Sequence, residues 1–237
     1  MPLNLKALGV TLVLLGSFGC GRPAEADSPE VAHQSSATER VRALASADEA
    51  VRAKAVAAYC TRGLDPTGAV YYPCILNRFL ASGDVSEFLA RIPPDCSGLE
   101  TIWRVDETIM KGIASPRDIP KPFGDPTFVS AFLSALRKSA TTQAPESLDR
   151  MLLLQHCADG SMAEMVEQSN LELFVSVPSL LVDNWRVVEK RKSGIGFGST
   201  DFESRREAIE RTFTDYCVTK GLPKEDCARA FRFLDQS

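Results

Sequence analysis

Histidine is almost missing from this 237-residue sequence, with His33 and His156 the only two. Two isolated imidazoles cannot assemble the paired-histidine sites of zinc enzymes, and neither H-E-x-x-H nor any C-x2-C spacing occurs. The G-x-S-x-G turn that presents a hydrolase serine is missing too. Beyond residue 20, no apolar run approaches the ~20 residues that a membrane-crossing helix needs. Strand signals are confined to two short stretches, Val70-Tyr71-Tyr72 and Leu173–Val177. A basic excess is also lacking: 27 Lys and Arg face 31 Asp and Glu, for a net charge of −4. Such a balance argues against nucleic acid as a partner and against direct adhesion to an anionic membrane face. No metal site or cofactor motif emerges from these counts.

What the chain does have begins at its N-terminus. Lys6 supplies a positive n-region, Ala7–Gly16 an apolar h-region, and Ser17-Phe18-Gly19 small residues at −3 and −1 of a cut before Cys20. The stretch Leu15-Gly16-Ser17-Phe18-Gly19-Cys20 resembles the lipobox of bacterial lipoproteins. The resemblance implies residues 1–19 as a signal peptide and Cys20 as an acylated N-terminus holding the protein to the cell envelope. Long acyl chains add about 0.8 kcal/mol per buried methylene, so several of them make a durable anchor. Gly21 stands where the family's inner-membrane retention signal has aspartate, which favours the outer over the inner membrane. The alternative is an ordinary secretory cut after Ala24-Glu25-Ala26, which discards Cys20 and yields a soluble secreted or periplasmic protein. On the lipoprotein reading residues 20–37 are an anchor and flexible tether, poor in core formers, with a reach of roughly 20–25 Å. His33 lies in it, away from any fold.

Setting Cys20 aside leaves six cysteines: Cys60, Cys74, Cys96, Cys157, Cys217 and Cys227. In an oxidising compartment an even set reads as three disulfides. Fifteen pairings are open to six cysteines. Cys60 and Cys74 flank one helical turn-around and Cys217 and Cys227 another, so each pair suits a stapled hairpin. Cys96–Cys157 follows by elimination.

Residues 38–237 read as an all-α domain of about ten helices, an irregular bundle or short helical array, compatible with a subdivision near 115–125. Helices are expected near 38–45, 47–62, 73–82, 85–92, 98–114, 126–139, 145–158, 161–168, 178–192, 201–220 and 223–235. The S/T-x-x-E pattern of a capping box occurs at Ser46–Glu49, Ser97–Glu100, Ser161–Glu164 and Thr200–Glu203. Asp125-Pro126 and Ala144-Pro145 look like helix starts, and Gly63, Gly83, Gly160 and Gly221 like helix ends. Leu99, Ile102, Trp103, Ile109, Met110 and Ile113 share one helical side, as do Phe202, Ile209, Phe213, Tyr216 and Cys217. Ser46–Cys60 resembles a single HEAT-type repeat helix, but no period of about 40 residues recurs elsewhere.

Chemistry-bearing motifs are few. Gly194-Ile195-Gly196-Phe197-Gly198 precedes a helix but has no P-loop lysine, and reads as an inter-helix loop rather than an anion cradle. Glu189–Lys192 places cations at a helix end, where they complement the dipole. Glu146-Ser147 is similar to the glutamate-serine pair of helical lytic transglycosylases, which implies a single acid in a cleft cleaving cell-wall glycan. Leu148-Asp149 follow, where that family has a glycine-aromatic pair, and Leu153-Leu154-Gln155 only partly matches its downstream G-L-M-Q segment. The first expectation is therefore a lipid-anchored, non-enzymatic envelope module that acts by binding, with an envelope protein or peptide as the candidate partner, or as an accessory part of a larger assembly; no residue identifies the ligand. The second is a glycan lyase using Glu146.

Overall fold

The repeated helix-start signals produce helices and nothing else: no strand occurs among the described residues. A computed structural model describes residues 36–60, 63–113, 115, 120–124, 127–191, 197 and 200–235. Within them run α1 (Ala37–Ala45), α2 (Glu49–Tyr59), α3 (Tyr71–Ser82), α4 (Val85–Ala90), α5 (Cys96–Met110) and α6 (Phe128–Ser139). Then come α7 (Ala144–Cys157), α8 (Gly160–Ser176), α9 (Ser179–Val182), α10 (Trp185–Arg191), α11 (Thr200–Lys220) and α12 (Lys224–Asp235). The signal stretch, Cys20 and His33 lie outside the described residues.

The caps explain where these helices begin, and they differ from the serine-led expectation. α2 is capped by Asp48, whose carboxylate accepts from the Ala50 and Val51 N–H groups, while Ser46 caps nothing in that helix. α5 is capped by Asp95, which places Ser97 inside the helix. In both places an aspartate close to the serine takes the capping position, where either side chain can serve. α8 already starts at Gly160, so Ser161 lies within it and Gly160 opens a helix rather than closing one. The reciprocal capping box forms instead at Ser36 and Glu39, at the head of α1. α6 takes Thr127 as its cap, and Asp106 of α5 reaches across to accept the Phe128 N–H at 2.6 Å and the Val129 N–H at 3.1 Å. Asp125 and Pro126 lie outside the described residues. Gly83 (φ 67°) and Gly221 (φ 64°) do stop α3 and α11, in the left-handed conformation that glycine adopts without penalty.

Both strand candidates are helical. Tyr71 and Tyr72 open α3, and Leu173 to Ser176 complete α8, which runs on through the stop expected near 168. The single helix expected over 178–192 is two, α9 and α10, broken at Asp183 and Asn184.

α7 is the axis of the fold. Leu148, Met151, Leu152, Leu153 and Leu154 are all buried, so the helix is apolar around most of its circumference and must be covered on several sides. α5, α6 and α8 pack on it, with α4, α9 and α10 completing the sheath. Around the N-terminal helices the core is aromatic: Phe79 stacks on Phe88 at 4.5 Å, and Phe132 meets Tyr72 and Phe88. Around α8, α10 and α12, Phe233 contacts Trp185 and Phe197, and Phe197 meets Phe174. One continuous apolar cluster joins the two regions, and all described residues fall within the compact unit Ser35–Ser237.

The six cysteines pair as Cys60–Cys74, Cys96–Cys157 and Cys217–Cys227. The first and third staple the α2–α3 and α11–α12 hairpins. The second ties the head of α5 to the tail of α7.

Candidate functional site

Short helices on either flank of the axial helix leave an opening over its N-terminal end. α4 packs on α7 from one side, contributing Ser86, Leu89 and Ala90 to the opening, and α10 packs from the other, contributing Arg186, Val187 and Lys190. Between them α7 presents Gln143, Pro145, Glu146, Asp149 and Arg150. The cleft so formed has a volume of about 500 Å³. Leu89, buried, and Val187, half-buried, supply its apolar surface. Val188, fully buried beside Val187, fixes the rotation of α10 so that Arg186 and Lys190 fall on its cleft side. Gln143 Nε2 donates to Ser86 Oγ and links the α4 wall to the start of α7.

The electrostatics turn on Asp149. Arg191 grips it with both prongs, Nε to Oδ1 at 2.8 Å and Nη2 to Oδ2 at 3.0 Å. Arg150 Nη1 stands 3.3 Å from Oδ2, and Lys190 Nζ 3.9 Å from Oδ1. Burial pushes the Asp149 carboxyl up, but Arg191, Lys190 and Arg150 outweigh it and hold the group below the usual carboxylate range. The same bond to Asp149 raises Arg191. Thus the basic cluster at 189–192 does more than complement a helix dipole. Arg191 anchors α10 to α7 across 42 residues of sequence, and Lys192 lies outside the described residues.

Arg186 is exposed and forms no ion pair or hydrogen bond among the described residues. Glu146 is likewise exposed at the cleft and unpaired among them. Its neighbour Ser147 is turned wholly into the core, so the Glu146-Ser147 pair is divided between two environments. Leu153 and Leu154 are buried core residues, and Gln155 accepts from Asn170 Nδ2 at 2.8 Å in a buried bridge to α8. None of the three reaches the cleft. His156 is exposed in the last turn of α7, about 15 Å along the axis from Glu146 at 1.5 Å rise per residue.

A second groove of about 390 Å³ runs between α11 and α12, floored by Phe213, Phe231 and the Cys217–Cys227 bridge. Arg206 and Asp235 close it with a two-pronged pair at 2.7 Å. Of the glycine-rich loop only Phe197 is described, and its ring is buried between Phe174 and Phe233.

Among the described residues no three His, Cys, Asp or Glu side chains gather as metal ligands, and no helix is long and apolar enough to cross a membrane. Comparison of the chain with protein-family models, with curated proteins and with solved structures finds no match.

Proposed function

We propose that this protein is a lipid-tethered binding module of the bacterial cell envelope. On this reading Cys20 carries the acyl anchor, the following residues are a tether, and the helical body holds an envelope protein or peptide at the membrane, the outer membrane rather than the inner. The observation that carries the binding role is the α4–α7–α10 cleft. It joins apolar surface to charged groups that the fold leaves unpaired, the composition of a small recognition site. Three disulfides support the compartment, because bridges of this kind persist outside the reducing cytosol.

The test is the intact mass of the protein extracted from its native membrane, with and without reduction. The expected result is a chain beginning at an acylated Cys20 that gains six hydrogens on reduction. A chain beginning at Asp27 would make it a free secreted protein, and a chain still beginning at Met1 with free thiols would overturn the compartment.

One observation favours a second reading: Glu146 sits exposed on the cleft, where a glycan-cleaving acid would have to stand. A lytic-transglycosylase-like lyase predicts that purified protein degrades peptidoglycan and that Glu146→Gln abolishes the activity. Wild-type protein that releases no muropeptide removes this reading.

A further inference from the structure

The cleft is positively biased in a protein that is negative overall. Arg150, Arg186 and Lys190 line it against two carboxylates, Asp149 and Glu146, and Asp149 is already bound by the two prongs of Arg191 from behind the lining. The cations left for a ligand are those on α10. Arg186 has no partner among the described residues, and Lys190 is 70% exposed with only a 3.9 Å contact to Asp149. They are four residues apart on one helix, so their attachment points lie about 6 Å apart along its axis. In an extended peptide, side chains of residues i and i+2 point the same way about 6.6 Å apart. The two spacings match. Between the cations Val187 offers an apolar contact, and Leu89 and Ala90 supply the facing wall.

We infer that the α4–α7–α10 cleft binds an extended peptide carrying an acid-x-acid motif, its two carboxylates on Arg186 and Lys190 and an adjoining small apolar side chain against Val187 and Leu89. Glu146, on the α7 wall, accepts a peptide N–H and repels a third acid, so the motif is two acids rather than an acidic run. This inference deepens the binding reading given above and rests on it.

The experiment uses the oxidised protein without its signal peptide, and a fluorescein-labelled, end-blocked peptide with Asp-Ala-Asp flanked by alanine and leucine, followed by anisotropy. Asn-Ala-Asn in the same frame should bind at least about tenfold more weakly, the order expected for two part-exposed charge pairs. Arg186→Ala/Lys190→Ala should lose about as much, with an unchanged melting temperature because both residues are exposed, and raising the salt should erase the difference. Charge reversal, Arg186→Glu/Lys190→Glu, should exchange the preference for a Lys-Ala-Lys peptide. Equal binding of the Asp and Asn peptides, or an unaffected double alanine variant, overturns the proposal. Displacement of the peptide by succinate at the peptide's own concentration also overturns it, in favour of a small-anion site. The tethered-module reading is decided separately, by the native mass: an acylated, fully bridged chain that ignores the peptide keeps that reading and loses only this ligand class.

Discussion

At the scale of single residues, Asp149 has the most to explain, because it joins the chemistry of the cleft to the stability of the fold. Its carboxylate holds Arg191 and orders Arg150, so replacing it by asparagine leaves two half-buried guanidinium groups short of an acceptor. Asp149→Asn should cost about 1–2 kcal/mol at pH 7, below the value of a fully buried pair because both partners keep some exposure to water. The sign of the pH dependence follows from the direction of the shift. The folded-state pKa is depressed, so the stabilisation is complete above the unfolded carboxylate value near pH ~4 and is lost as pH falls through the folded value. Urea unfolding of parent and variant should therefore converge as the solution is acidified. A gap that stays constant down to low pH would assign the effect to packing instead. None of this is legible in the sequence, where Asp149 and Arg191 are remote and each looks like an ordinary helix-surface charge. Glu146 is legible, since a proline followed by an acid marks a first helical turn.

Elements were more visible than contacts. Helix existence follows from the periodic burial of Leu99, Ile102 and Ile109 and of Phe202, Ile209, Phe213 and Cys217, the positions that face the core. Periodicity misplaces some members: Val105 is the buried residue in the middle of α5, while Met110 is 37% exposed at the helix end. The pattern S-x-x-E misplaces helix starts where aspartate and serine compete for one position, at Asp48 with Ser46 and at Asp95 with Ser97, because it records composition and not backbone geometry. The Asp106 cap on α6 could not have been found from local pattern, since donor and acceptor belong to different helices. Burial raises that carboxyl despite two N–H donors, as expected for a charge carried into the core to finish a neighbouring helix. The stretch Leu173–Val177, with Phe174, Val175 and Val177, has the local propensity of a strand. It is helical because Leu173 and Phe174 bury against the body of the fold, and tertiary packing overrides propensity.

At the scale of the whole molecule the disulfides define three loops of unequal consequence. Cys217–Cys227 closes a separation of 10 residues and Cys60–Cys74 one of 14, both within hairpins whose helices would find each other anyway. Cys96–Cys157 closes 61 residues, enclosing α5, α6 and the axial helix α7. In the chain-entropy description a loop of that length restricts the unfolded chain by about 4 kcal/mol, against roughly 3 kcal/mol for the short ones. Because one continuous core runs from α1 to α12, that restriction acts on a cooperative transition and not on a detachable part. Replacing Cys96 and Cys157 together by alanine should therefore lower the thermal midpoint further than replacing Cys217 and Cys227. The cleft should suffer in the same order, since α7 forms its floor and the α11–α12 hairpin lies outside it. Differential scanning calorimetry of the two double variants, with the parent alongside, reads the ranking directly. A reversed ranking would mean that the α11–α12 pair depends on its bridge for native packing, and that the entropy of the long loop is not what holds the axial helix in place.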